Sequence, residues 1–273
     1  MRPDIRLLLD MLTYGRPHTG TMVDVFINRF IAPIDGASVD EFGNWHVTID
    51  LPNGEPSRVL WSCHTDTVHY EDCRQTVHLD KASQTIGLSR RSYQTSDCLG
   101  ADDTCGVWLC VQMIAAKVPG RYIFHHGEER GCIGSHALAK GYHPWLTKSF
   151  DYAIALDRKG TSDIITTQLG ETCASQLFAY SLADELNRAS KGLLDYAPAP
   201  GIFTDTASYL RYIPECTNLS VGYERAHSPD EWIDLSYLLV LRDALCRFDE
   251  SALVCERDPS DRPIMTIHRF RGI

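Results

Sequence analysis

"RVLWSCHTDTV", residues 58–68, is the stretch whose reading decides the fold. From Arg58 to Cys63 it is a nearly continuous apolar run. A strand wetted on one side alternates apolar and polar residues, whereas such a run suits a central strand buried on both faces. The run ends at His64, and Asp66 follows two residues on. In α/β proteins with doubly covered sheets, functional residues collect at the carboxyl ends of the strands. The stretch therefore sets two questions: whether strands and helices alternate elsewhere, and which polar residues close the other strands.

Upstream, residues 4–33 read as one or two helices broken near "GRPHTG". "ASVDEFGNWHVTIDL" (37–51) reads as a β-hairpin whose two strand-like runs flank Gly43-Asn44. Downstream, the polar segment Glu71 to Asp97 predicts a loop with a short hairpin, and "ADDTCGVWLCVQMIAAK" (101–117) a helix with carboxylates at its N-terminus. "RYIFHH", "DYAIALD" and "CTNLSVGY" predict short strands. "CASQLFAYSLADELNRAS", "TDTASYLRYI" and "DEWIDLSYLLVLRDALCRF" carry helical periodicity. This alternation predicts an α/β fold, a three-layer α/β/α sandwich with a central mixed, mainly parallel sheet. No repeat period and no long Pro/Gly/Ser linker interrupts the chain, which favours one continuous domain over 1–273.

The bulk composition narrows the function classes. The chain of 273 residues is 44% hydrophobic and 23% charged, ordinary for a globular protein able to bury a substantial core. A formal net charge of -10 argues against nucleic acid, whose phosphates need a basic surface; a site of cation-holding carboxylates would contribute to that excess. The N-terminal "MRPDIRLLLDMLTYGRP" has a short apolar run interrupted by Asp10 and no small-residue cleavage site, so it reads as an amphipathic helix and not a signal peptide. No segment approaches the roughly 20 apolar residues of a membrane span. The expectation is a soluble cytoplasmic protein with no membrane or nucleic-acid partner. None of the ten cysteines forms a C-x-x-C pair, which removes zinc-ribbon and thioredoxin readings. Cys105, Cys110, Cys132 and Cys246 read as buried small hydrophobes in a reduced setting.

The strand ends answer the second question. "WSCHTD" supplies His64 and Asp66, "CLGADD" supplies Asp102 and Asp103 at a helix start, and "FHHGEE" ends in Glu128 and Glu129. "IALD" ends in Asp157, and "VGYERAHS" brings His227 after a strand. Imidazole nitrogens and carboxylate oxygens are ligands of zinc and similar borderline cations. Two histidines and three carboxylates can give each of two metals one His and one terminal carboxylate, with a further carboxylate bridging. In such sites the ions lie about 3.5–4 Å apart and share an activated water. A general base must still move the proton to the leaving nitrogen. Consecutive residues at a strand end point in different directions, so one glutamate of the pair can bind metal while its neighbour holds the water. Asp66 is expected to accept a hydrogen bond from the non-ligating ring nitrogen of His64.

In order, "SCHTD", "LGADDTCG", "GEERGCIGS", "ALD" and "YERAHSPDEWID" resemble the motifs of the co-catalytic di-zinc aminopeptidases and related deacylases. The resemblance covers Trp61 to Asp234 and implies a zinc-exopeptidase fold. It implies that His64 and Asp157 bind one metal, Glu129 and His227 the other, and that Asp102 bridges them. Glu128 would then be the general base and Asp66 would orient His64. The implied cofactors are two divalent ions, zinc first, with cobalt or manganese as alternatives. "TDTASYLRYIPECTNLSVGYERAHSPDEWID" looks most like the shell-forming aminopeptidases of this clan. Only 37 residues, positions 65 to 101, separate His64 from Asp102, too few for the extra domain of those enzymes. The interval from Asp157 to His227 is likewise too short for the lid or dimerisation domain of the larger exopeptidases. What remains is a compact catalytic core, expected as a monomer or small oligomer.

The implied activity is amide-bond hydrolysis through a two-metal-activated water, chiefly removal of N-terminal residues from peptides. An N-acyl amino acid deacylase or a carboxypeptidase uses the same ligands and is the nearest alternative; a catalytically silent binding protein on the same core is the alternative from another class. His125 and His126 read as structural or pocket residues, His46 as half-exposed in its hairpin. His69, His78, His136 and His143 have no matching partner. Asp103 reads as a helix cap or turn stabiliser and Cys63 as core. Thr204, Asp205 and Tyr223 stand evenly between lining a substrate pocket and serving as cap and core.

Overall fold

In the computed structural model, which describes residues 1–260, the apolar run ending at His64 is a strand with every residue buried. It belongs to a sheet of nine strands: β1 (Ser38–Val39), β2 (Trp45–Ile49), β3 (Val59–His64), β4 (Gly120–His125), β5 (Tyr152–Arg158), β6 (Asp163–Gln168), β7 (Glu171–Thr172), β8 (Ala197–Pro200) and β9 (Glu215–Ser220). Their spatial order is β7-β6-β9-β5-β3-β4-β2-β1, with β8 beside β6. The inner strands β9, β5, β3 and β4 run parallel. At the flanks, β6 and β2 join them antiparallel, which makes the sheet mixed.

Six helices accompany the sheet: α1 (Pro3–Met11), α2 (Met22–Phe30), α3 (Ala101–Ala115), α4 (Ile133–Ser149), α5 (Gln176–Ala189) and α6 (Leu235–Leu245). The pleat separates them into layers. His64 pairs with His125 in register, so the two side chains share a face, and Cys63 one residue back points to the other. Cys63 meets Cys110 of α3, a helix that also packs against α1 and α6. His125 instead meets Tyr209, whose hydroxyl lies 3.2 Å from Nε2. Tyr209 ends the 3-10 turn Asp205–Tyr209, against which α4 packs. Helices therefore cover both faces of the sheet.

Two features of this topology position a site. Leaving β3, the chain passes through α3 to β4 on one side, then returns through α4 to β5 on the other. That reversal leaves a crevice beyond the carboxyl ends of β3 and β5, where ligands of doubly wound sheets lie. Beside it, a smaller antiparallel sheet joins Val77–Asp80, Thr85–Leu88, Trp232–Asp234 and Tyr223–Glu224. Its last two strands bracket the turn that carries His227.

Local structure departs from the sequence expectations at named places. "TDTASYLRYI" forms only a 3-10 turn, because Thr206 is tied to distant strands: its hydroxyl donates to the Thr217 carbonyl at 3.1 Å and accepts from Gln168 at 3.1 Å. Strand β6 fell between the segments read as strands and helices. His46 is buried and not half-exposed, with Nε2 3.0 Å from the Asp40 carboxylate. His69 is buried as well, between Thr67 and Gln75.

Gly106 sets how closely α3 approaches β5. A Cβ there would lie 2.2 Å from the Leu156 carbonyl oxygen and 2.5 Å from an Asp103 oxygen. Helix propensity alone favours Gly106→Ala by about 1 kcal/mol, but overpacking of this kind costs ~1–3 kcal/mol. The clash should win, lowering the urea midpoint of Gly106→Ala. A raised midpoint would show that α3 can back away from the sheet.

Candidate metal centre

The site forms where five chain segments meet at the crevice. His64 closes β3 and Asp157 stands near the end of β5, with Nε2 and Oδ1 3.5 Å apart. Asp102, at the head of α3, lies between two imidazoles: Oδ1 is 3.1 Å from His64 Nε2 and Oδ2 is 3.2 Å from His227 Nε2. His227 Nε2 is also 3.2 Å from Glu129 Oε1. A continuous series Asp157, His64, Asp102, His227, Glu129 results, containing the five ligands expected from sequence. The donor atoms of His64, Asp102 and Glu129 all lie within 4.8 Å of one another, as do those of His64, Asp103 and Asp157.

The Glu128–Glu129 pair sits differently from the expectation. It lies on the 3-10 turn Glu128–Arg130, framed by Gly127 and Gly131 at φ +69° and +92°, and not on the strand itself. Residues on such a turn diverge by about 120°, and that separates the two carboxylates. Glu128 is fixed through its backbone N–H, which donates to Asp66 Oδ1 at 3.2 Å. This changes the part played by Asp66: the Nδ1–H of His64 donates to the Asp66 backbone carbonyl at 3.0 Å, while the carboxylate stays 3.6 Å away. Main chain holds the ring, and the side chain holds the glutamate turn.

The remaining supports come from residues of several elements. Asp103 accepts the His64 N–H at 3.1 Å and the Gly106 N–H at 2.9 Å, which caps α3 and ties it to β3. This needs non-helical backbone at Asp102 and Asp103, although both lie within the bounds of α3. Asp157 receives the Thr204 hydroxyl at 2.6 Å and the Tyr223 hydroxyl at 3.3 Å, and Asn218 brackets its backbone. Thr204 and Tyr223 thus orient a carboxylate. Asp205 is buried, and among the described residues neither of its oxygens has a hydrogen-bond partner.

Sequence reasoning passed over Glu231 and Arg16. Glu231 is buried and accepts the N–H groups of Gly100 at 2.8 Å and Asp102 at 3.0 Å, so it sets where the Asp102 main chain stands. Its signal was an acidic residue at the head of "DEWIDLSYLLVLRDALCRF", a segment read as helix throughout, whose first residues instead form the strand Trp232–Asp234 before α6. Arg16, also buried, donates to the Thr65 carbonyl at 2.6 Å and stacks on Phe26. Burial pulls its pKa down to about 10 against the opposing charges of Asp103 and Asp66. Nothing in "GRPHTG" distinguishes it from a surface arginine.

Charge tests whether these residues suit cations. Burial, reinforced by neighbouring carboxylates, pushes Glu128 up to about 9, Glu231 to about 8, Asp205 to about 7 and Asp157 to about 6. The Asp102 and Glu129 carboxylates facing its Nε2 raise His227 to about 11. For His64, burial opposes protonation, but Asp157, Asp102 and Asp66 outweigh it and raise the pKa well above its ordinary value. Each of these raised affinities reports the same imbalance, more buried anion than cation, whereas Asp102 and Asp66, facing the imidazoles, are lowered. Removing an ion from water costs on the order of several kcal/mol unless it is paired. Glu129 Oε1, buried and lacking an aligned hydrogen-bond donor among the described residues, shows the imbalance at one atom. A divalent cation among these oxygens and imidazole nitrogens supplies the missing charge, so the residues fit it.

The profile of peptidase family M28 matches residues 44–212. Among curated protein sequences none matches the chain at a significant level. The fold is similar to that of aminopeptidase PepT from Bacillus cereus, at 13% identity and a TM-score of 0.68, covering 89% of this chain and 96% of that one. A tripeptidase from Staphylococcus aureus gives 13% identity and a TM-score of 0.68 over 91% and 97% of the two chains. The TET1 peptidase of Pyrococcus horikoshii, which can assemble into a tetrahedron or a large octahedral shell, gives 18% and 0.58 over 89% and 99%.

Two measurements follow from this geometry. Asp205 and Glu231, protonated in the folded chain up to about pH 7 and 8, ionise near their ordinary values once unfolded. Between about pH 4.5 and 8 the folded state therefore binds more protons, and stability in chelator falls as pH rises. His227 acts in the same sense above its ordinary value. Urea midpoints in chelator should be higher at about pH 5.5 than at pH 8, and saturating divalent cation should flatten the difference; a midpoint that climbs with pH would contradict the charge imbalance. Separately, Glu231→Ala releases the Asp102 main chain and should weaken metal affinity by about 10–100-fold, measured by chelator competition.

Proposed function

The chain belongs to peptidase family M28, and on that premise we propose that it is a metal-dependent aminopeptidase that removes N-terminal residues from peptides. The observation that carries the reading is Asp102, whose two oxygens face the imidazoles of His64 and His227. One carboxylate in that position suits two cations at once. We assign His64 and Asp157 to one ion, Glu129 and His227 to the other, and Asp102 to both. Mixed imidazole and carboxylate donors make zinc the expected metal. Bound there, the ions would polarise the scissile carbonyl and lower the pKa of a water to roughly 7.

Glu128 is the general base in this reading. Its carboxyl lines a cavity of about 450 Å³, also lined by Asp102, Glu129 and Asp157. Burial, together with the charges of Asp157 and Asp205, raises its proton affinity despite His64. Divalent cations bound beside it would lower that affinity and leave the carboxylate ionised, able to take a proton from the attacking water and pass it to the leaving amine. The concentration of carboxylates at the inner end of the cavity favours a substrate with a free α-ammonium group. N-acylated amino acids lack that charge, which sets the aminopeptidase reading ahead of a deacylase.

Residues 1–273 are read as one catalytic domain without an inserted lid or dimerisation domain, acting as a monomer or small oligomer on peptides. All ten cysteines are free, which supports a reducing cytoplasmic setting; among the described residues no helix is long and apolar enough to cross a membrane.

Glu128→Gln keeps the shape of the base and removes its function. Turnover of an aminoacyl-anilide should fall by about 10²–10⁴-fold, with metal content unchanged. Wild-type turnover in the metal-loaded variant would sink the assignment of the base. On wild-type enzyme, aminoacyl-anilides should be cleaved and N-acetyl amino acids should not; the reverse preference would overturn the aminopeptidase reading.

A further inference from the structure

We propose that Arg16 is a positioning residue of the metal centre, one that aims the metal-binding nitrogen of His64 and sets its distance from Asp102. This rests on the aminopeptidase reading of the site and adds to it a residue that touches neither substrate nor metal. Arg16 stands on the connection between α1 and α2, apart from every segment that carries a ligand, and it is fully buried. It does not border the cavity lined by Glu128 and Asp157. Any effect it has on the reaction must therefore pass through the residues it holds.

Its contacts fall on two successive peptide groups after β3. The guanidinium Nε–H donates to the Thr65 carbonyl at 2.6 Å, which fixes the peptide joining Thr65 to Asp66. The Arg16 carbonyl accepts the Thr67 N–H at 3.1 Å, at one end of the peptide joining Asp66 to Thr67. The carbonyl at the other end of that same peptide takes the Nδ1–H of His64 at 3.0 Å. A peptide unit is planar, so a donor held at one end sets the direction of the acceptor at the other. The His64 ring is thus aimed by a peptide whose N–H ends on Arg16, and hydrogen bonds in series of this kind strengthen one another. The Thr67 hydroxyl completes the clasp by accepting the Arg16 N–H at 3.1 Å.

The other arm of the guanidinium reaches the segment that carries Asp102. Nη2 donates to the Thr104 hydroxyl at 2.9 Å, and that hydroxyl donates in turn to the Gly100 carbonyl, so the bonds bracket Asp102 on both sides. One planar group therefore spans the turn after His64 and the turn around Asp102, whose Oδ1 stands 3.1 Å from His64 Nε2. The fork is itself held, with the Phe26 ring 4.1 Å from its central carbon and the Tyr14 carbonyl accepting from Nη1 at 3.4 Å. Its acceptors are carbonyl and hydroxyl oxygens and not carboxylates, so the contacts use the shape of the group more than its charge. Lysine keeps the charge but not the shape, because a single ammonium nitrogen has no rigid spacing to hold two acceptors apart.

The test compares wild type with Arg16→Lys, Thr104→Val and Thr104→Ser, each loaded with cobalt(II), whose visible absorption reports ligand geometry. Arg16→Lys and Thr104→Val should each shift the cobalt band and weaken metal affinity by about 10–100-fold in chelator competition. Thr104→Ser keeps the hydroxyl and should leave both readouts near wild type. The two losses should not add in the double variant, because each removes the same contact. With an aminoacyl-anilide, kcat should fall while KM changes by less than about twofold, as expected of a residue remote from the substrate. Should Arg16→Lys not fold, the two Thr104 variants decide the matter alone. Variants that lose only urea stability, with the cobalt spectrum and metal affinity of wild type, would make Arg16 a support of the fold and overturn the proposal. If the spectrum and affinity change as expected in a protein that cleaves no aminoacyl-anilide, the aminopeptidase reading falls and the positioning of the metal ligands stands.

Discussion

The position of the Asp102 carboxylate, shared between His64 and His227, constrains everything around it. A carboxylate can serve two imidazoles only if its backbone is held still while both oxygens stay free. The chain meets that requirement with two further acids. Glu231 takes the Gly100 and Asp102 N–H groups, and Asp103 joins the head of α3 to β3. Each solution adds another buried anion to the neighbourhood, and the raised proton affinities of Glu128, Glu231 and Asp205 are the electrostatic consequence. The arrangement is coherent only as a container for positive charge.

The sheet explains how such a cluster can be held. His64 and Asp157 come from adjacent parallel strands, so their spacing follows from strand separation and register. Asp102 and the Glu128–Glu129 turn lie on the two connections that leave the sheet beside them. His227 comes from farther away, on a turn held by the small second sheet, and it is the exposed member of the set. Four ligands thus stand on or beside the main sheet, and one borders the solvent side where a substrate would enter.

Much of this was legible in the chain itself, for identifiable reasons. The all-buried strand β3 was readable because doubly covered strands cannot alternate. The hairpin around Gly43-Asn44 was readable from its turn chemistry, and it forms with Val39 opposite Trp45. The histidines and acids of the site could be nominated because each follows a strand-like run or, for Asp102, opens a helix. Strand β6, by contrast, lies at the flank with Thr-rich, mixed burial, and its short run carries little periodic signal. The helical pattern of "TDTASYLRYI" misled because tertiary hydrogen bonds to Thr206 outweigh local propensity.

By itself the sequence determined the α/β alternation, the strand ends and the residue types available for metal chemistry, since periodicity and side-chain identity are local properties. Tertiary structure alone decided which atoms do which work. It gave the Nδ1 of His64 to a backbone carbonyl and turned the Asp66 side chain to Glu128. It also recruited Glu231 from 129 residues away to fix Asp102. Hydrogen-bond partners and burial depend on distances between segments remote in the chain, and those distances exist only once the sheet has brought the segments together.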